Sequence, residues 1–109
     1  MLPLQPPYVA IYITSTLSDD LDGYDELNDE MVKLSQEQPG CLGRESLPSE
    51  GDEERVVIYW ADEESLKAWR LHPEHQVAMR LGRERFYSSY DIRVARVERE
   101  YGFNRSAAE

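Results

Sequence analysis

The chain has 109 residues, 40% of them hydrophobic and 31% charged, enough for one globular domain with its own core but not for two. Its formal charge of -10 argues against nucleic acid as a partner, because phosphate binding needs a net-positive face, and no stretch approaches the ~20 consecutive apolar residues of a membrane span. A single cysteine, Cys41, leaves no intrachain disulfide to form and fits a reducing cytoplasm, so a cytoplasmic protein with a small buried thiol is expected.

Residues 1–7 are rich in proline, lack the charge and apolar run of a secretory signal, and read as a flexible arm. Residues 8–16 (YVAIYITST) have the β-branched and aromatic composition of a strand. Over residues 22–38 the spacing of Tyr24, Leu27, Met31 and Leu34 predicts a helix with one apolar stripe, its outer face covered by Asp25, Glu26, Asp29 and Glu30. Pro39-Gly40 ends it. A weaker strand over 41–47 and a stronger one over 55–60 flank a loop at 48–54. Asp62 is placed to cap a helix whose inward side includes Leu66 and Trp69. His72-Pro73 breaks that helix, since the residue before proline avoids the α region and proline suits a first helical turn. A further helix runs to about Phe86 with Val77 and Leu81 inward, and residues 90–101 form the last strand. The tail, 104–109, reads as disordered, leaving 8–103 as the single domain.

The order β-α-β-β-α-β is that of the ferredoxin-like fold: α+β, with a four-stranded antiparallel sheet and both helices on one face. The strands at 8–13 and 56–60 are apolar on both faces, without the alternation of a half-solvated sheet. Helices cover one face only. The other needs a cover too, either the same face of a second subunit, giving a homodimer, or a bound apolar ligand. The charge is also uneven: residues 67–99 hold eight of the 12 bases and only four of the 22 acids. Such a run attracts a small anion or is a solvated face paired with nearby acids.

The first strand, the QPGCLG turn, the run VVIYWADEESLKAWRLHPEH and the closing RVARVEREY together resemble the antibiotic biosynthesis monooxygenase (ABM) family, over nearly the whole domain. The resemblance implies a dimeric α+β barrel with a pocket between sheet and helices in each subunit. It also implies, for some members, oxygenation of a phenolic or quinol-like substrate with no metal or organic cofactor. Such chemistry needs a water-poor cavity, a few placed polar groups and a route for a proton. Trp69, Tyr12 and Tyr59 are then candidate walls, His75 and His72 candidate bases, and Arg80 a candidate partner for developing negative charge. Each also has a structural reading: Trp69, Tyr12 and Tyr59 as core or interface aromatics, His72 as a helix cap, and Arg80, Arg83 and Arg85 as surface residues paired with Glu84 or Glu74.

A branch of the same fold degrades haem with a first-strand asparagine, a second-helix tryptophan and a histidine ten residues later. Here Trp69 matches the tryptophan, but Met79 stands in place of the histidine, and the first strand offers Thr14 and Ser15. Two of three positions depart, which argues against haem degradation. His72 and His75 lack a third close ligand, so no zinc site is expected. Two alternatives to an enzyme stay open: a non-catalytic module that binds a small apolar molecule, and a structural dimer with a filled interior.

Overall fold

The computed structural model describes residues 4–105. The elements are β1 (Tyr8–Leu17), α1 (Tyr24–Gln36), β2 (Cys41–Leu47), β3 (Glu53–Trp60), α2 (Glu63–Arg70), α3 (Pro73–Leu81), a π-helical turn (Gly82–Phe86) and β4 (Tyr87–Val97). The strands pair antiparallel in the order β2-β3-β1-β4, the ferredoxin-like arrangement. Among the described residues no helix is long and apolar enough to cross a membrane.

The helix boundaries follow local chemistry. Asp62 Oδ1 accepts the Ser65 N–H at 2.8 Å and starts α2. His72 Nδ1 accepts the Glu74 N–H at 3.2 Å, with Pro73 opening α3. Between α1 and β2 the chain turns at Gly40, whose φ of +87° favours glycine and where a Cβ would run into Ser65 at the start of α2. At the C-terminal side one expectation holds and one is corrected. The last helical segment runs to Phe86 as expected, with Pro73–Leu81 α-helical and Gly82–Phe86 widened into a π turn that leads straight into β4. The last strand begins at Tyr87 and ends at Val97, where its partner β1 ends with Tyr8. Residues beyond leave the sheet, and Glu100 accepts the Leu4 N–H at 3.1 Å and the Tyr8 hydroxyl at 2.7 Å.

Strand alternation divides the sheet into two unlike faces. One carries Tyr8, Ala10, Val57 and Tyr59, a buried cluster closed by Leu4, Leu47 and Val97. The chain's own arm, through Leu4, therefore covers part of the face for which an outside cover is expected, although Tyr12 is still 42% exposed. Of the predicted tail, residues 106–109 lie outside the described residues. The other face, with Ile11, Ile13, Ile58 and Trp60, looks toward α1 and α3. Near its Trp60 end it packs firmly, with Val9, Trp60 and Trp69 buried and Ile11, Met31, Leu34, Cys41, Ile58 and Leu66 around them. Away from that end the helices stand off the sheet.

Candidate functional site

The gap between the sheet and helices α1 and α3 is a cavity of about 560 Å³, within the size range of sites for small organic ligands. Its walls are mainly apolar: Ile11, Ile13, Val56 and Ile58 below, Leu27, Met31 and Val32 above. Ile92 and Val94 of the edge strand line it while staying about half exposed, so it opens on the β4 side. The space beside Trp69 is thus open, which is inconsistent with a filled interior.

One end is an aromatic stack. Trp60 lies 6.3 Å from Trp69 at 25°, and Trp69 lies 4.2 Å from the His75 imidazole at 23°. Asp62 sets the phase of α2 and so turns Trp69 inward. The His72-Pro73 break starts α3 at the angle that lays His75 on the indole. Burial, and then the neighbouring His72, lower the His75 pKa to about 4, so its imidazole is neutral near pH 7. Its Nδ1 is buried and has no hydrogen-bond partner among the described residues, and the same holds for Trp60 Nε1. A neutral imidazole offers one donor and one acceptor nitrogen, whereas an indole N–H only donates. Both residues are part of the cavity wall, although the two nitrogens themselves are buried within it.

The opposite end holds tyrosines. The Tyr24 hydroxyl donates to Glu54 Oε1 at 2.6 Å, and the Tyr24 ring packs edge-on against Phe86 at 5.4 Å and Tyr87 at 6.0 Å. Burial, and then the Glu54 carboxylate, hold the Tyr24 hydroxyl well above its usual range, so it stays protonated. Arg44, half-buried on β2, completes this region.

Of the residues expected at the site, the structure brings together Trp69 and His75. His72 touches the Trp69 ring from 5.6 Å, but its Nδ1 is engaged as the cap of α3 and it does not line the cavity. Tyr12 and Tyr59 project from the other face of the sheet, where the Tyr59 hydroxyl donates to Glu45 at 3.1 Å. Arg80 is exposed and outside the cavity wall. Arg85 pairs with Asp20 at 3.1 Å instead of Glu84 or Glu74. Met79 lines the cavity alongside His75. Sequence reasoning missed Trp60, Tyr24 and Arg44. For Trp60 and Tyr24 a signal existed: Trp60 shares its strand parity with Ile58, and Tyr24 heads the inward stripe of α1.

The profile of the antibiotic biosynthesis monooxygenase family matches residues 7–81, from β1 through α3. This chain belongs to that family. YqjZ of Bacillus subtilis (strain 168) is 41% identical over 96 residues, which cover 88% of this chain and 84% of that protein. Among solved structures, Rv0793 from Mycobacterium tuberculosis superposes with a TM-score of 0.74 at 18% identity, covering 87% of this chain and 99% of that one. SnoaB, a cofactor-independent oxygenase from Streptomyces nogalater, superposes with a TM-score of 0.70 at 14% identity, covering 86% and 96%. These likenesses show a shared fold. The stretch matched by the ABM profile contains Trp60, Trp69 and His75.

Proposed function

We propose that the chain is a cofactor-independent monooxygenase that takes a small aromatic, phenolic or quinol-like substrate into the cavity between sheet and helices. The observation that carries the reading is His75: a neutral imidazole stacked on Trp69 in an apolar cavity, with a buried Nδ1 that no protein group satisfies. A neutral imidazole can accept a hydrogen bond from a substrate hydroxyl, and the phenolate that forms beside it stabilises the imidazolium and so raises its basicity as the proton moves. The substrate ring packs against Trp69 at the aromatic end of the cavity. Loss of the phenolic proton to His75 makes the ring electron-rich enough to react with dioxygen. Where the reacting carbon carries two hydrogens, one oxygen atom becomes its carbonyl. The other leaves with both hydrogens as water, and no outside reductant enters the balance. Family membership and the fold shared with SnoaB support this reading.

The test is oxygen uptake with a panel of phenols, hydroquinones and anthrones. Trp69→Phe and His75→Ala are each expected to lower turnover at least tenfold. Unchanged turnover in both variants overturns the residue assignments. Binding of the panel by the wild-type protein with no oxygen uptake replaces the oxygenase reading with that of a binding module.

The same proposal includes a homodimer formed through the face of the sheet remote from the helices. On that face Tyr12 is 42% exposed, and beyond β4 Tyr101 and Phe103 are 83% and 78% exposed, large apolar rings that a partner would cover. Sedimentation that finds a stable monomer at micromolar concentration removes the dimer.

A further inference from the structure

Ten of the twelve basic residues are exposed, and the two that are not differ sharply. Arg85 is neutralised: it holds Asp20 through two nitrogens at 3.1 Å, donates to the Asp22 carbonyl at 2.9 Å and lies over the Phe86 ring. Arg44 lines the cavity, and among the described residues its guanidinium makes no hydrogen bond and no ion pair. A half-buried charge without a partner is costly, and scarcity does not explain it in a chain with 22 acids. Glu54, the carboxylate among the cavity-lining residues, is engaged by the Tyr24 hydroxyl at 2.6 Å. A register shift between Cys41 and Gly43 puts Arg44 opposite Ile58, on the face that looks into the cavity. Ile58 is two residues from Trp60, roughly 7 Å along a strand. The Arg44 side chain reaches the tyrosine end, where its charge acts on the Tyr87 hydroxyl, so the cavity runs from the Trp60–Trp69–His75 stack at one end to this cation at the other.

We propose that Arg44 makes this cavity selective for aromatic acids, with the ring against Trp69 and a carboxylate on the Arg44 guanidinium. The planar fork of arginine matches a carboxylate with two parallel N–H···O bonds, which a neutral substrate cannot return. The inference rests on the oxygenase reading for its substrate class, but its test does not depend on turnover. An arginine whose stem merely covers the sheet edge would show no preference for an acid.

The test is isothermal titration calorimetry at pH 7 with 2-naphthoate, 2-naphthamide and 2-naphthol. These share one ring system and differ in charge. Wild-type protein is expected to bind 2-naphthoate at least tenfold more tightly than the two neutral compounds. Arg44→Gln is expected to lower naphthoate affinity at least tenfold and to leave the neutral two within about twofold. Arg44→Lys, which keeps a point charge but not the fork, should fall between, and it serves also if Arg44→Gln does not fold. The proposal is overturned if wild-type protein binds acid and amide equally, if none of the three compounds binds, or if Arg44→Gln weakens all three alike. Acid selectivity in a protein that consumes no oxygen leaves Arg44 standing and removes the oxygenase reading. Oxygen uptake without acid selectivity does the reverse.

Discussion

The two faces of the central sheet are built from the same strands, residue by residue, yet they satisfy their polar groups in opposite ways. On the face remote from the helices, the Tyr8 and Tyr59 rings meet edge-on at 5.6 Å and each hydroxyl ends on a carboxylate, Glu100 or Glu45. Burial and those carboxylates raise both hydroxyls to about 12, so they remain donors at any physiological pH. On the face under the helices, Trp60 Nε1 and His75 Nδ1 are buried without partners among the described residues, and both residues belong to the wall of a cavity of about 560 Å³. Buried polar groups in folded proteins are usually paired, and the face under the helices departs from that rule. Packing holds the first face together, and incompleteness marks the second.

Val56 and Val57 offer the most direct way to break this comparison. They are neighbours of one residue type on opposite faces; Val57 is 2% exposed in the packed cluster, whereas Val56 lines the cavity. Val57→Ala is expected to cost about 2 kcal/mol, two buried carbon groups at about 0.8 kcal/mol each plus the void they leave. Val56→Ala enlarges a space that already exists and is expected to cost less than about 1 kcal/mol. Denaturant titration of the pair measures both. Equal costs would mean that the helix-side face is as tightly packed as the other.

Much of this was legible in the sequence, and the misses share a cause. The stripe Tyr24, Leu27, Met31, Leu34, the Asp62 cap and the His72-Pro73 break are local signals, and the structure follows them. Strand parity is also local: Tyr12 and Tyr59 belong to one face, and Ile11, Ile58 and Trp60 to the other. Which of these faces the helices cover is a tertiary fact, which is why Tyr12 and Tyr59 were grouped with Trp69 although they point away from it. Arg44 was harder still. Without the irregularity between Cys41 and Gly43 it would share a face with Leu42; with it, Arg44 shares a face with Cys41 and looks into the cavity. A bulge in a short strand containing glycine shifts the phase by one residue, and composition does not reveal it. The role of His75 depended on the angle between two short helices, which the broken helix implied but did not specify.

Two substitutions to phenylalanine sharpen the comparison with effects of similar size and opposite sign. Tyr59→Phe leaves the Glu45 carboxylate without its donor and is expected to cost about 1 kcal/mol. His75→Phe keeps an aromatic ring on Trp69 and removes a buried nitrogen that has no partner. It is expected to raise stability by about 1 kcal/mol while abolishing the proton acceptor, so oxygen uptake falls at least tenfold. Thermal denaturation and oxygen consumption on the same samples check the trade. A His75→Phe protein that is both less stable and fully active would place the imidazole in the structural framework and not in the site.

The remaining prediction concerns pH. The folded His75 has a pKa of about 4, below the ordinary value of 6.5, because burial penalises its charged form. The unfolded chain therefore binds a proton more readily than the native one between those values. Stability contributed by the neutral imidazole is intact above about pH 6.5 and is lost as pH falls toward 4. Carboxylates titrate in the same range, but they do so in wild type and His75→Phe alike, and subtraction removes them. The gap in melting temperature between the variant and the wild type should be constant from pH 7 to 8 and widen steadily from pH 6.5 to 4.5. A gap that stays flat throughout would mean that the imidazole is solvated in the native state. The neutral, unpartnered base on which the proposed chemistry depends would then be lost.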